Sequence, residues 1–196
     1  MQLIEDPVRR YPSPRSRSWL ETTLNEVRDD GRVTAILAIG SAVRPQVNSS
    51  DLDIIVILDE PKLGPHFRAP IEVDLHEFSA SEVIDLILGG NDLLGWAATF
   101  GVALFERADY WQAVLDKVGN SLPLPSVEKF DQRARQALRR FEQVLAIGDE
   151  DAALEQATSY LTHVARALLI RSGTYPASRP ELPKQLRKLR FSVLAS

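Results

Sequence analysis

The sequence predicts an α+β protein: a small mixed-sheet domain over residues 1–120, a linker at 121–126, and an all-α helical bundle over 127–196. Three observations predict it. Two apolar runs, RVTAILAIG and LDIIVIL, have the length and branched-residue content of buried strands in a sheet covered on both faces. One segment, IEVDLHEF, alternates apolar and polar residues as a half-buried strand does. Beyond residue 126, apolar residues recur at helical spacing.

Taken in order, Leu20 to Val27 reads as a short helix after the Pro-rich YPSPRSRS, with Gly31 turning the chain into the first strand. Gly40 stops that strand, and LDIIVIL supplies the second. In IEVDLHEF, Ile71, Val73 and Leu75 share one face, while Glu72, Asp74 and His76 share the other. The following FSASEVIDLIL predicts a helix with Ser79 and Glu82 as a capping box, Phe78 stapled to Val83, and Gly89-Gly90 at its end. A helix near Leu93 to Ala98, the strand GVALFER and the helix DYWQAVLDKV complete this part. Past GNSLPLPS, one helical stripe runs through Phe130, Ala134, Ala137, Leu138, Phe141, Val144 and Leu145. A second runs through Leu154, Ala157, Tyr160, Leu161, Val164, Leu168 and Leu169, which predicts two long antiparallel helices and a last basic helical piece from Pro183.

Composition narrows the function. The chain has 196 residues, 44% hydrophobic, enough for a real core. Its net charge of −4 argues against nucleic acid as a partner, because proteins that bind by counterion release are usually basic. Residues 1–125 carry 11 Lys/Arg and 19 Asp/Glu, a net −8, whereas residues 126–196 carry 12 and 8, a net +4. There is no cysteine, which excludes disulfides, thiolate catalysis and sulfur-bound metals. The start of the chain lacks the apolar core of a signal peptide and no run is long enough to span a bilayer, so a cytoplasmic protein without a membrane partner is expected.

The chemistry concentrates in IGSAVRPQVNSSDLDIIVIL, residues 39–58. Asp51 and Asp53, two apart at the mouth of a strand, project to one side. Carboxylates that close repel, and a hard divalent ion such as Mg²⁺ removes the conflict while keeping positions for water and phosphate. Asp74, on the polar face of the alternating strand, is the natural third ligand, and three acids suit a pair of such ions. Gly40 and Ser41 form a turn that can bring backbone N–H groups and a hydroxyl to an anion, with Arg44 one turn on to pair with phosphate.

Gly40-Ser41, then Asp51-Leu52-Asp53 opening an apolar strand, then Asp74 on a later strand, resembles the nucleotidyltransferase superfamily that includes DNA polymerase beta and kanamycin nucleotidyltransferase. The segment AVRPQVNSS resembles the small prokaryotic members called minimal nucleotidyltransferases, and the closing helices resemble their helical companion domain less specifically. The resemblance implies that Asp51, Asp53 and Asp74 hold two Mg²⁺ ions, that Asp74 also orients or deprotonates the acceptor, and that Gly40, Ser41 and Arg44 bind the triphosphate. It implies transfer of a nucleoside monophosphate from a nucleoside triphosphate, ATP being expected, to a hydroxyl of a small molecule or a protein, with release of pyrophosphate. A non-catalytic nucleotide-binding module and an antitoxin-like protein acting on a partner are the alternatives, and self-association as a homodimer is left open. His76 and His66 read as ordinary solvated residues, and His163 as lying off its helix's apolar stripe. Companion domains of this kind can be ribonucleases with an Arg followed by a His; VARALLIRSG offers Arg166 without that His, which speaks against the activity.

Overall fold

The computed structural model describes residues 8–44, 50–60, 67–119 and 122–194, with side chains through residue 189. It adopts the expected α+β class and falls into two compact units, Met1–Pro123 and Leu124–Ser196.

The first unit holds helix α1 (Pro14–Val27), strands β1 (Val33–Ile39), β2 (Leu52–Leu58) and β3 (Val73–Ser79), helices α2 (Val83–Leu88) and α3 (Asp92–Phe100), strand β4 (Val102–Glu106) and helix α4 (Tyr110–Val118). The sheet order is β3-β2-β1-β4. β1 runs antiparallel to β2 and β4, whereas β2 and β3 are parallel, so the sheet is mixed. Alternate residues of β1 and β2 serve two cores, as strand geometry requires. Ile54, Val56 and Leu58 pack toward Leu20 and Val27 of α1. Ile55 and Ile57 pack with Val83 and Ile87 of α2, Leu94 of α3 and Trp111 of α4. Each such fully buried aliphatic side chain contributes about 1.5–3 kcal/mol, so the β1–β2 pair dominates the unit's stability.

Local differences from the sequence-based expectations have physical reasons. Helix α1 starts inside the Pro-rich segment rather than after it, because Pro14 occupies its first turn and Ser13 caps it in a reciprocal box with Ser16. Ile71 does not join the apolar face of β3; it lies before the strand and is 98% exposed. The capping box of Ser79 and Glu82 does not form. Ser79 remains in the ladder opposite Leu58, its hydroxyl meets Ser81, and Glu82 opens α2 without a side-chain cap. Helix α4 is capped from the preceding strand, where Glu106 accepts from the Trp111 and Gln112 amides at 2.8 and 3.2 Å. Arg107 ties the end of α1 to β1: its guanidinium donates to the carbonyls of Val27, Arg28, Asp30 and Val33, all within 2.9 Å.

The second unit contains α5 (Val127–Ala146), α6 (Glu150–Arg171) and α7 (Leu182–Leu194). Ser126 and Asp149 cap α5 and α6, and Gly148, at φ +77°, turns the chain between them. The helices run antiparallel, since Phe130 near the start of α5 packs on Ala167 and Ile170 near the end of α6, and Arg171 pairs with Asp131 at 2.5 Å. The predicted stripes are buried only in part. Phe130, Ala134 and Ala137 are covered, but Leu145, Leu154 and Leu161 are 51%, 69% and 63% exposed. The α6 residues turned inward include Ala153, Ala167 and Ile170, and the leucine row lies about 100° around the helix from Ala153 and Ala167. Among the described residues no helix is long and apolar enough to cross a membrane.

Candidate active site

The parallel register of β2 and β3 places Asp53 opposite Asp74, and the antiparallel register of β1 and β2 places Asp53 opposite Ile39. Residues paired across a ladder share a face. Asp53 and Asp74 therefore emerge on the side of the sheet that Ile55 and Ile57 present to α2, α3 and α4, at the end where β1 gives way to the next turn. His76 lies two residues beyond Asp74 on the same face, opposite Ile55. Asp51 lies just before β2, partly buried, and Asp74 is exposed.

Asp53 is the strained member of the group. Burial first, then repulsion by Asp51 and by Asp74, pushes its carboxyl up to about 6 from an ordinary 3.8. Two further negative groups thus act on Asp53 at this end of the sheet. The donors are hard carboxylate oxygens, the chemistry that suits Mg²⁺, and Asp53 is a partly buried carboxylate whose charged form needs a cation. Among the described residues, no group of three or more His, Asp or Glu side chains is gathered tightly enough to hold a metal ion as it stands.

Gly40 has φ +73°, and a Cβ placed on it would run into Oδ2 of Asp53. The glycine expected to admit a ligand admits the chain's own carboxylate. After it, Ser41–Val43 make one short 3₁₀ turn with Ser41 partly buried at its start. The turn is pinned from outside: Ala42 accepts from the Arg9 and Arg10 amides at 3.0 and 3.3 Å, and Arg44 donates its amide to Ser41 at 3.1 Å. The Arg44 guanidinium lies over the Phe100 ring, 4.8 Å from its centroid. Phe100 in turn meets Trp96 with ring centroids 5.1 Å apart. No local pattern announces the Arg44–Phe100 contact, because the two are 56 positions apart. Residues 45–49 of the segment AVRPQVNSS, and His66, lie outside the described residues.

In the second unit, His163 packs beside Phe130 at 5.9 Å between centroids, with Arg133 and Arg166 over the same ring at 5.5 and 5.8 Å. Burial, followed by the charges of Arg166, Arg133 and Arg179, holds the imidazole below its usual range. Cavities of about 410 Å³, lined by α6 and α7, and about 420 Å³, beside α1 and Phe67, are lined by none of Asp51, Asp53 and Asp74.

The structure thus defines an α+β domain with an acidic, partly desolvated strand-end site beside a glycine turn. No protein-family model matches the chain. No curated protein matches it. Among solved structures it is similar to a nucleotidyltransferase-like protein from Exiguobacterium sibiricum, at 21% identity over 81% of this chain, with a TM-score of 0.41. The chain spans 58% of that protein's length.

Proposed function

We propose that the chain is a metal-dependent nucleotidyltransferase. The observation that carries this reading is the pairing of Asp53 with Asp74 across the parallel ladder, with Gly40 closed against the Asp53 carboxylate and Ser41 next in line. Asp51, Asp53 and Asp74 would hold Mg²⁺, which when bound would neutralise the carboxylates and the triphosphate together.

The residues' own parts follow from their chemistry. The Ser41 hydroxyl donates to a phosphate oxygen, and the Arg44 guanidinium, backed by Phe100, faces the same anion. Asp74, exposed where Asp53 is partly buried, is the carboxylate that orients the acceptor hydroxyl or receives its proton. The acceptor oxygen forms a bond to the α-phosphorus, the bond to the bridging oxygen breaks, and pyrophosphate leaves with that electron pair. ATP is the donor favoured here. The acceptor is a hydroxyl of a small molecule or of a protein, and the net −8 of residues 1–125 suits a cationic small molecule.

The test is calorimetric titration of each ribonucleoside triphosphate with Mg²⁺, comparing wild type with an Asp51→Asn, Asp53→Asn double variant. Metal-dependent binding that the variant loses, together with pyrophosphate release once an acceptor is supplied, is the expected result. Binding without turnover across acceptor classes would leave a nucleotide-binding module, and no binding by wild type would overturn the reading.

A further inference from the structure

Helix α6 carries an apolar row that its own unit leaves uncovered. Leu154, Leu161 and Leu168 are 69%, 63% and 47% exposed and follow one another at intervals of seven, so they form a nearly straight line along the helix. Leu161 and Leu168 also form one wall of the groove of about 410 Å³, whose other wall is Leu182 and Leu186 of α7. Three large aliphatic side chains in one exposed line are more than the scattered surface leucines of an ordinary monomer.

The row has a symmetry of its own. Leu154 and Leu168 are equidistant from Leu161, so an antiparallel copy of α6 centred on Leu161 sets Leu161 against Leu161, and Leu154 against the partner's Leu168 at both ends. The charges obey the same centre. The first turn of α6 carries Glu150 and Asp151, and the last carries Arg171, which pairs with Asp131 of α5 and keeps half of its side chain exposed. In the antiparallel arrangement each acidic turn meets the partner's basic one, and the helix dipoles oppose. A parallel arrangement would put acid on acid and Arg171 on Arg171. Small residues on this face, Ala157 and Ala165, are likewise related through Leu161 and permit close approach of the helices.

We infer that this face is an interface between two copies of the chain, an isologous antiparallel pairing of α6 about Leu161. The inference rests on the second unit alone and stands whether or not the first is a nucleotidyltransferase.

The chain has no cysteine, which makes the register directly readable. Sedimentation equilibrium of the full chain should give twice the 21.9 kDa chain mass at micromolar concentration, and Leu161→Glu, which sets two like charges at the symmetry centre, should give the monomer with the circular dichroism of wild type. As a second reading that does not depend on folding of that variant, Leu161→Cys should cross-link to itself under mild oxidation. Leu154→Cys alone should not, since the two sulfurs would lie about 21 Å apart along the helices. Leu154→Cys mixed with Leu168→Cys should cross-link. A monomeric wild type, whether its leucines are free or covered by the first unit or another protein, would overturn the inference. So would self-cross-linking of Leu154→Cys, the mark of a parallel pair.

Discussion

Gly40 and Asp53 compete for one space: the volume a Cβ would fill on Gly40 is held by Oδ2 of Asp53. Gly40 also sits at φ +73°, where any side chain is strained. Gly40→Ala is therefore expected to push the Asp53 carboxylate out of place and to cost about 1–3 kcal/mol of stability. Urea denaturation reads the stability, and loss of metal-dependent nucleotide binding beyond what stability explains reads the displaced carboxylate. A variant as stable as wild type and equal in binding would contradict the packing.

Asp53, with its carboxyl pushed up to about 6, binds more protons folded than unfolded between about pH 4 and 6. Without added divalent ions, stability should fall as the pH rises through that window and stay low above it. Asp53→Asn should remove the slope and raise the melting temperature at pH 7, a gain on the order of 1–3 kcal/mol. Thermal melts of both proteins from pH 4 to 7.5 check this, and a wild-type curve rising across the window would refute it.

Mg²⁺ should reverse that penalty. Millimolar Mg²⁺ is expected to raise the melting temperature of wild type at pH 7 and to leave the Asp53→Asn variant nearly unchanged. Equal shifts in the two proteins would show that the ion acts elsewhere.

Arg107 gathers four carbonyls from the end of α1 and the start of β1. Arg107→Ala should cost about 2–3 kcal/mol, because those carbonyls lose a charged donor, and Arg107→Lys should recover only part of it, because an ammonium lacks the planar fork. Chemical denaturation of the two variants measures the difference.

Arg44 lies on Phe100. If the guanidinium binds phosphate, Arg44→Ala should weaken triphosphate binding about tenfold, in line with the loss of one charge-assisted hydrogen bond. Phe100→Leu should weaken it less, by loosening the guanidinium without removing it. Calorimetry on both variants separates the two effects, and an Arg44→Ala variant with wild-type affinity would remove Arg44 from the site.

Much of this was legible in the sequence where a pattern is local. The apolar runs of β1 and β2 announce a doubly covered sheet, and the alternation of Val73 to Phe78 announces which residues of β3 turn toward the aspartates. That Asp74 falls directly opposite Asp53 is a matter of register, which alternation leaves free by steps of two. The box at Ser79 failed because ladder pairing with Leu58 outweighed a local capping motif. Helical spacing marks the leucine row of α6 as an apolar face without saying what covers it, and the inward residues of α6 include small ones, Ala153 and Ala167, that carry little apolar signal. Arg107 and Phe100 act across long stretches of chain and leave no local trace.

The parallel pairing of β3 with β2 has a kinetic side. β1 and β2 are sequential antiparallel neighbours, whereas β3 joins the edge of the sheet beside β2 only after the chain has crossed residues 59–72. A nascent or refolding chain can thus close its apolar β1–β2 pair before Asp74 arrives beside Asp53, postponing the meeting of like charges until a stable platform exists to bear it. Refolding should then show a late phase, tied to the docking of one edge strand, that divalent ions accelerate.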